Sequence, residues 1–252
     1  MMTGLILAFQ FLTILPLPKI TAKPKHFGAA MMFFPIVGLF LGGMLYIIHV
    51  TARQFPGYFS PELQALLMLA TLTILTRALH LDGFADFVDA FWGGRSKEDI
   101  LRIMKDSHVG AFAVVGLILL ILGKYLLLTQ LIEVGSSTLI ILVFPMVSRW
   151  GMVLLCFGAT YARVEGGLGK SFVESLRWRH LLVATVLAFV VSFFLLKGFA
   201  IWVFVPAIAV VASMRLLGSR KIYGITGDMS GATGEFIELL VLFLGGLFLP
   251  TQ

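Results

Sequence analysis

The chain has 252 residues, of which 59% are hydrophobic and only 13% charged, and its mean hydropathy is +1.00. Soluble domains carry roughly 45–50% apolar and about 25% charged residues, so a soluble globular protein is excluded. The net charge of +6 would suit a nucleic-acid binder, but the basic residues follow a topological pattern instead, and no nucleic-acid partner is expected.

A crossing helix needs about 20 apolar residues. Residues 3–15 are too few, and Pro16 and Pro18 stop them, so this segment is read as an interfacial or re-entrant helix. It lacks a basic leader and a small-residue cleavage site, and no removable signal peptide is expected. Apolar runs at 29–50, 63–79, 109–131 and 138–157 read as spans. The run 181–217 is too long for one crossing at about 1.5 Å per residue. Lys197-Gly198 interrupts it, which predicts a tight hairpin of two spans. Residues 236–249 make a short seventh. The expectation is an all-α polytopic integral membrane protein with seven transmembrane helices plus the N-terminal helix, residues 1–252 forming one helical transmembrane catalytic domain. Cys156, the single cysteine, lies inside an apolar run, so no internal disulfide or cysteine-based metal knot is available.

With the 19–25 loop placed in the cytoplasm, only Arg53 and Lys197 fall outside and Lys124 within a span; every other Lys and Arg is on an inner segment or inner helix end. That asymmetry satisfies the positive-inside rule. Lys124, Arg149 and Arg215 are read as snorkelling, with Arg149 also placed to reach a cytoplasmic site.

The acidic residues carry the functional signal. Six of the chain's 13 fall in two segments between apolar runs: Asp82, Asp86 and Asp89 in HLDGFADFVDAFWGG, and Asp228, Glu235 and Glu238 in GITGDMSGATGEFIE. The topology puts all six, and Asp106, on the cytoplasmic side. Spacing of i, i+4, i+7 gives Asp82, Asp86 and Asp89 one helix face. Such crowding is relieved by a divalent cation or by protonation, and Mg²⁺ suits one or two carboxylates bridged to substrate phosphates; the alternative is a solvated face opposite Lys or Arg. Arg95, Arg102, Lys105, Asp106, Ser107 and His108 follow, with cations suited to clamping phosphate in phosphoryl transfer. Topology determination and headgroup contact are the alternative for Arg95, Lys97 and Arg102. Thr226, Gly227 and Asp228 lie in a glycine-rich loop that allows close backbone approach. Glu235 and Glu238 are placed at a helix start, where capping is the alternative. His80 and His108 flank the acids as candidate acid, base or phosphate donors.

At these motifs the sequence resembles the cobalamin synthase family, the adenosylcobinamide-GDP ribazoletransferases, which are integral membrane enzymes. The resemblance runs through FLTILPLP, FFPIVG, HLDGFADFVDAFWGG, IMKDSHVGAF, SRW, YARVEGGLG with Arg163, and TGDMSGATGE. It implies Mg²⁺-dependent joining of adenosylcobinamide-GDP to α-ribazole, or its 5′-phosphate, giving adenosylcobalamin, or its phosphate, and GMP. Carried onto this chain, Asp82, Asp86 and Asp89 hold the metal, with Lys105, Asp106 and Asp228 as further catalytic groups. Substrate contacts fall to His80, Arg95, Arg102, Ser107, His108, Arg149, Arg163, Thr226, Gly227, Glu235 and Glu238. The implied setting is a bacterial or archaeal cytoplasmic membrane, with lipid as partner; a homo-oligomer stays open.

Two other readings remain. A CDP-alcohol phosphotransferase shares the chemistry, but the Ala-Arg step of its motif is missing after Asp82-Gly83. A transporter would place ionisable residues mid-membrane, where the sequence offers only Lys124.

Overall fold

In the computed structural model every residue is described except 19, 22, 56, 136, 137, 164, 166, 167 and 249–252, with residues 24, 25 and 248 described by backbone alone. Lys19, in the loop that sets the expected topology, therefore lies outside the described residues. Among the described residues the regular structure is all helical apart from one isolated bridge between Tyr161 and Ile225. Among the described residues twelve α-helices run in order: α1 Met2–Leu12, α2 Pro24–Met31, α3 Phe34–Arg53, α4 Pro61–Leu75, α5 Leu79–Gly93 and α6 Lys97–Ile103, then α7 Ala111–Val134, α8 Ile140–Cys156, α9 Leu168–Ser175, α10 Trp178–Leu196, α11 Ala200–Ile222 and α12 Gly227–Phe248.

The stretches Phe34–Arg53, Ala111–Val134, Trp178–Ile222 and Gly227–Leu247 are long and apolar enough to cross a membrane. The bent pair α4–α5 makes a fifth candidate. This is a polytopic membrane architecture, though several expected boundaries move. The first span starts at Phe34, because the chain breaks between α2 and α3. The fourth expected span is α8, which at 17 residues is a shorter apolar helix. α1, at 11 residues, is too short to cross. The Trp178–Ile222 stretch reverses at Lys197, whose φ is +53°. Phe189 and Phe204 consequently bring their ring centroids within 5.5 Å, where a continuous helix would separate them by about 22 Å. The expected hairpin is present.

α8 is the hub: 15 of its 17 residues are buried, so neighbours must cover it on all sides. α3 does so through Gly38 and Gly42. A Cβ at Gly38 would lie 2.4 Å from the Pro145 carbonyl oxygen, and one at Gly42 2.4 Å from that of Leu142. Small residues four apart let helix backbones touch where lipid gives no hydrophobic drive. On another face Trp150 donates from Nε1 to Thr185 Oγ1 at 3.0 Å and packs its ring 4.7 Å from Phe204, tying the hairpin to the hub. Arg215 of α11 does not snorkel; it donates to the carbonyls of Leu154, Leu155 and Phe157 and so caps α8.

The expected span 63–79 ends early. α4 stops at Leu75, and Arg77 and Ala78 take left-handed φ values of +53° and +54°. Hydrogen bonds from Ala78 N to Thr73 O and from Leu79 N to Thr76 O hold this turn. α5 then departs at 88° to α4, and this bend delivers the acidic helix into the bundle.

Candidate active site

α5 presents two faces. His80, Gly83, Phe84, Phe87 and Val88 are buried, whereas Asp82 is exposed and Asp86 and Asp89 half-buried. The i, i+4, i+7 expectation of one shared face therefore holds. Gly83 and Gly231 let α5 approach α12 closely: a Cβ at Gly83 would sit 3.1 Å from Asp228 Cα, and one at Gly231 3.3 Å from His80 Cα. Phe236 of α12 seals the contact against the Phe84 and Phe87 rings.

α12 begins at Gly227, well before the expected residue 236, so the glycine-rich segment is largely the first turns of a helix. Thr226, fully buried, caps it by accepting from Met229 N at 3.3 Å. Gly227 is exposed, with open space around the position a Cβ would take. Asp228 thus falls in the first turn, where the helix dipole favours its charge. Ile225 N donates to Thr160 O and Ala162 N to Ile225 O, and this short pairing delivers Arg163 to the site. Arg163 Nη2 then donates to Asp228 Oδ2 at 2.5 Å and to Met104 O at 3.2 Å.

Asp82, Asp86 and Asp228 lie near enough for their charges to act on one another, with Arg163 as the nearby cation. Three carboxylates share one guanidinium, an imbalance that a divalent cation or protonation relieves. The donors are all hard oxygens, as Mg²⁺ prefers. Among the described residues no three His, Cys, Asp or Glu side chains already converge as a metal cage. Mg²⁺ does not need one, since it commonly takes one or two carboxylates and completes its shell with water and phosphate. The donor set fits.

Asp89 is engaged elsewhere. Its oxygens accept from Gly110 N at 2.6 Å and Ala113 N at 2.8 Å, so it caps α7 from a different helix. The opposing Gly110 leaves room for this, since a Cβ there would meet the carboxylate at 2.7 Å.

A cleft of about 380 Å³ opens between α6 and the segment after Tyr161, and Arg163, which bonds Asp228, is part of its lining. Lys97, Arg102, Lys105 and Arg163 line it, with Glu98 and Glu165. Lys105 pairs with Glu165, Arg102 with Asp99 at 3.4 Å, and Lys97 sits 4.8 Å over the Tyr223 ring. These are exposed, exchangeable pairs of little net energy, available to a phosphate ligand. A second cavity of about 150 Å³ runs from Asp82 and Asp228 toward Phe11, Phe34, Tyr161 and Phe172. Arg95, Ser107 and His108 are exposed. Asp106 Oδ1 meets His108 Nδ1 at 2.6 Å. That hydrogen bond raises the imidazole above its ordinary value and holds the Asp106 carboxyl below the usual carboxylate range.

The largest departure from expectation concerns Glu235, Glu238, Arg149 and His80. Glu235 and Glu238 are two to three turns inside α12 and buried, not at a helix start. Lys124 of α7 donates to both, at 2.5 Å to Glu238 Oε2. Arg149 of α8 pairs with the other Glu238 oxygen and sends Nη2 to His80 Nδ1 at 3.1 Å. Neither Lys124 nor Arg149 snorkels; their side chains are 3% and 1% exposed. Two positive and two negative charges balance, which is how ionisable groups persist in such an interior. The acids therefore form two separate clusters. A cavity of about 620 Å³, lined by Leu66, Ile74, Ile121 and Leu122, reaches Lys124, Arg149 and Glu235 from the outer face of α4 and α7.

Comparison with known proteins agrees along the whole chain. The cobalamin-5-phosphate synthase family matches residues 4–246. The adenosylcobinamide-GDP ribazoletransferase of Chlorobaculum parvum is 41% identical over 256 residues, covering 99% of this chain and 97% of that protein. The protein of the same name from Chlorobaculum tepidum gives the same identity and coverage. That of Syntrophobacter fumaroxidans is 41% identical over 238 residues, 93% of this chain and 94% of its own length. No solved structure matches.

Proposed function

The chain belongs to the cobalamin-5-phosphate synthase family of transferases, and from that premise we propose that it joins adenosylcobinamide-GDP to α-ribazole or its 5′-phosphate, with release of GMP. The observation that carries the reading is that Asp82, Asp86 and Asp228 lie within electrostatic reach of one another, with Arg163 bonded to Asp228 and also lining a basic cleft. A pyrophosphate needs negative charge neutralised at its bridging oxygen, and a nucleoside monophosphate leaving group needs cations nearby.

In this mechanism the ribazole 3′-hydroxyl attacks the phosphorus that carries the cobinamide arm. A new P–O bond forms, the P–O–P bridge breaks, and GMP departs. Asp82, Asp86 and Asp228 are the residues that would hold Mg²⁺, which when bound would supply charge neutralisation for the pyrophosphate. Arg163 orients Asp228 and adds positive charge at the phosphates. Lys105 and Arg102 release their surface carboxylates and receive the leaving phosphate. A carboxylate of the site takes the hydroxyl proton, the candidates being Asp228, which Arg163 holds, and Asp106, which His108 holds. The basic ends of the helices at this site favour a cytoplasmic-facing site in the cell membrane.

The test supplies both substrates to detergent-purified protein with and without Mg²⁺ and follows GMP and corrinoid product together. Equal, Mg²⁺-dependent appearance of both is expected. Folded protein that makes neither from either ribazole form ends the proposal.

A further inference from the structure

The buried charge cluster has no role in the mechanism above, yet it ties α7 and α8 to α5 and α12, the two helices that carry the acids. Lys124 lies on α7, Arg149 on α8, Glu235 and Glu238 on α12, and His80 on α5. Arg149 is the hinge pin of this arrangement: one nitrogen is paired with Glu238, another with His80 Nδ1. Guanidinium only donates, so His80 accepts through Nδ1 and carries its proton on Nε2. That Nε2 is buried without a partner among the described residues, which leaves the Arg149 bond as the polar contact fixing the ring. His80 is also the residue against which Gly231 of α12 packs. Two residues later, on the opposite face of the same turn, stands Asp82.

We infer that His80 is a positioning residue, through which the Lys124–Glu238–Arg149 cluster holds the start of α5 at the distance from α12 that lets Asp82 and Asp86 share a cation with Asp228. α5 enters the bundle through two left-handed residues, Arg77 and Ala78, and needs an anchor immediately after that bend. A hydrophobic residue at position 80 would fill the space but remove the polar contact that fixes the start of α5. Contacts that orient a metal ligand without touching the metal commonly control its affinity by about 10–100-fold. The inference rests on the metal-assisted reading of Asp82, Asp86 and Asp228, so the test separates the two.

Three full-length variants serve: His80→Leu, which removes the acceptor; His80→Asn, whose side-chain oxygen falls near the Nδ1 position; and His80→Gln, whose polar atoms fall near Nε2. Each is checked for thermal stability in detergent, then titrated with Mn²⁺ by electron paramagnetic resonance in the absence of substrate. In parallel, hydrogen exchange is measured on peptides covering α5. Expected are Mn²⁺ affinity lowered about 10–100-fold and faster exchange in α5 for His80→Leu and His80→Gln, with His80→Asn close to the parent protein in both. Exchange and Mn²⁺ binding that are alike in all three would overturn the inference, as would His80→Asn behaving like His80→Leu while equally folded. If the parent protein binds no Mn²⁺ but α5 loosens in His80→Leu and tightens again in His80→Asn, the anchoring stands and the metal reading falls.

Discussion

Asp86 and Asp89 are neighbours on α5 with different duties. Asp86 faces Asp82 and Asp228, while Asp89 commits both oxygens to the amides that open α7. Asp82→Asn and Asp86→Asn are therefore expected to lower turnover by at least about 10²–10³-fold with the protein still folded, a loss on the scale of removing one electrostatic stabiliser. Asp89→Ala is expected to act on stability, by about 1–2 kcal/mol for a lost helix cap, with turnover per folded molecule within a few-fold of the parent. Parallel melting curves and GMP-release rates distinguish the two patterns. The spacing of the three acids showed that they share a face, because helical periodicity is local. It did not show which acid caps a helix, because the capped amides lie 21 and 24 residues downstream. Lys124 was legible only in outline. An ammonium inside an apolar helix requires a partner, but its partners stand 111 and 114 residues away. The mid-bundle charges asked of a transporter thus exist, though they pair with one another in balance.

Among the elements, the contact of α3 with α8 is the most exacting. Gly38→Leu or Gly42→Leu would drive a side chain into backbone carbonyls that cannot retreat, whereas Gly43, with open space around it, should accept alanine. Loss of folded yield in detergent for the first pair, and near-parent yield for Gly43→Ala, is the expected outcome. Most helices coincided with the apolar runs because crossing length and hydropathy are properties of composition. α12 did not, for an instructive reason. Its first turns, GDMSGATGE, are rich in glycine and polar residues and read as loop, but close packing against α5 selects those very residues. The bend after α4 was equally hidden, since neither Arg77 nor Ala78 is a residue type that announces a left-handed conformation.

For the molecule as a whole, Asp89 and Asp228, the basic cleft and the N-termini of α7 and α12 gather at one end, while the α10–α11 turn lies at the far end of the hairpin. Cys156, the chain's single cysteine, is buried, so engineered thiols report without background. In intact cells an impermeant maleimide is expected to label Gly198→Cys and to leave Glu98→Cys unlabelled until the membrane is opened. The reverse pattern would turn the site away from the cytoplasm.

The cap that Asp89 places on α7 carries a further consequence. α7 has 24 residues, about 36 Å of helix, against a hydrocarbon core near 30 Å. A helix longer than the core tilts to fit, and the tilt changes with bilayer thickness. The end that swings is clasped by a carboxylate one turn from Asp86. Lipid chain length should therefore act as a mechanical dial on the acidic site. Turnover measured in vesicles of increasing acyl length is expected to pass through an optimum, and Asp89→Ala, by releasing the clasp, to flatten it.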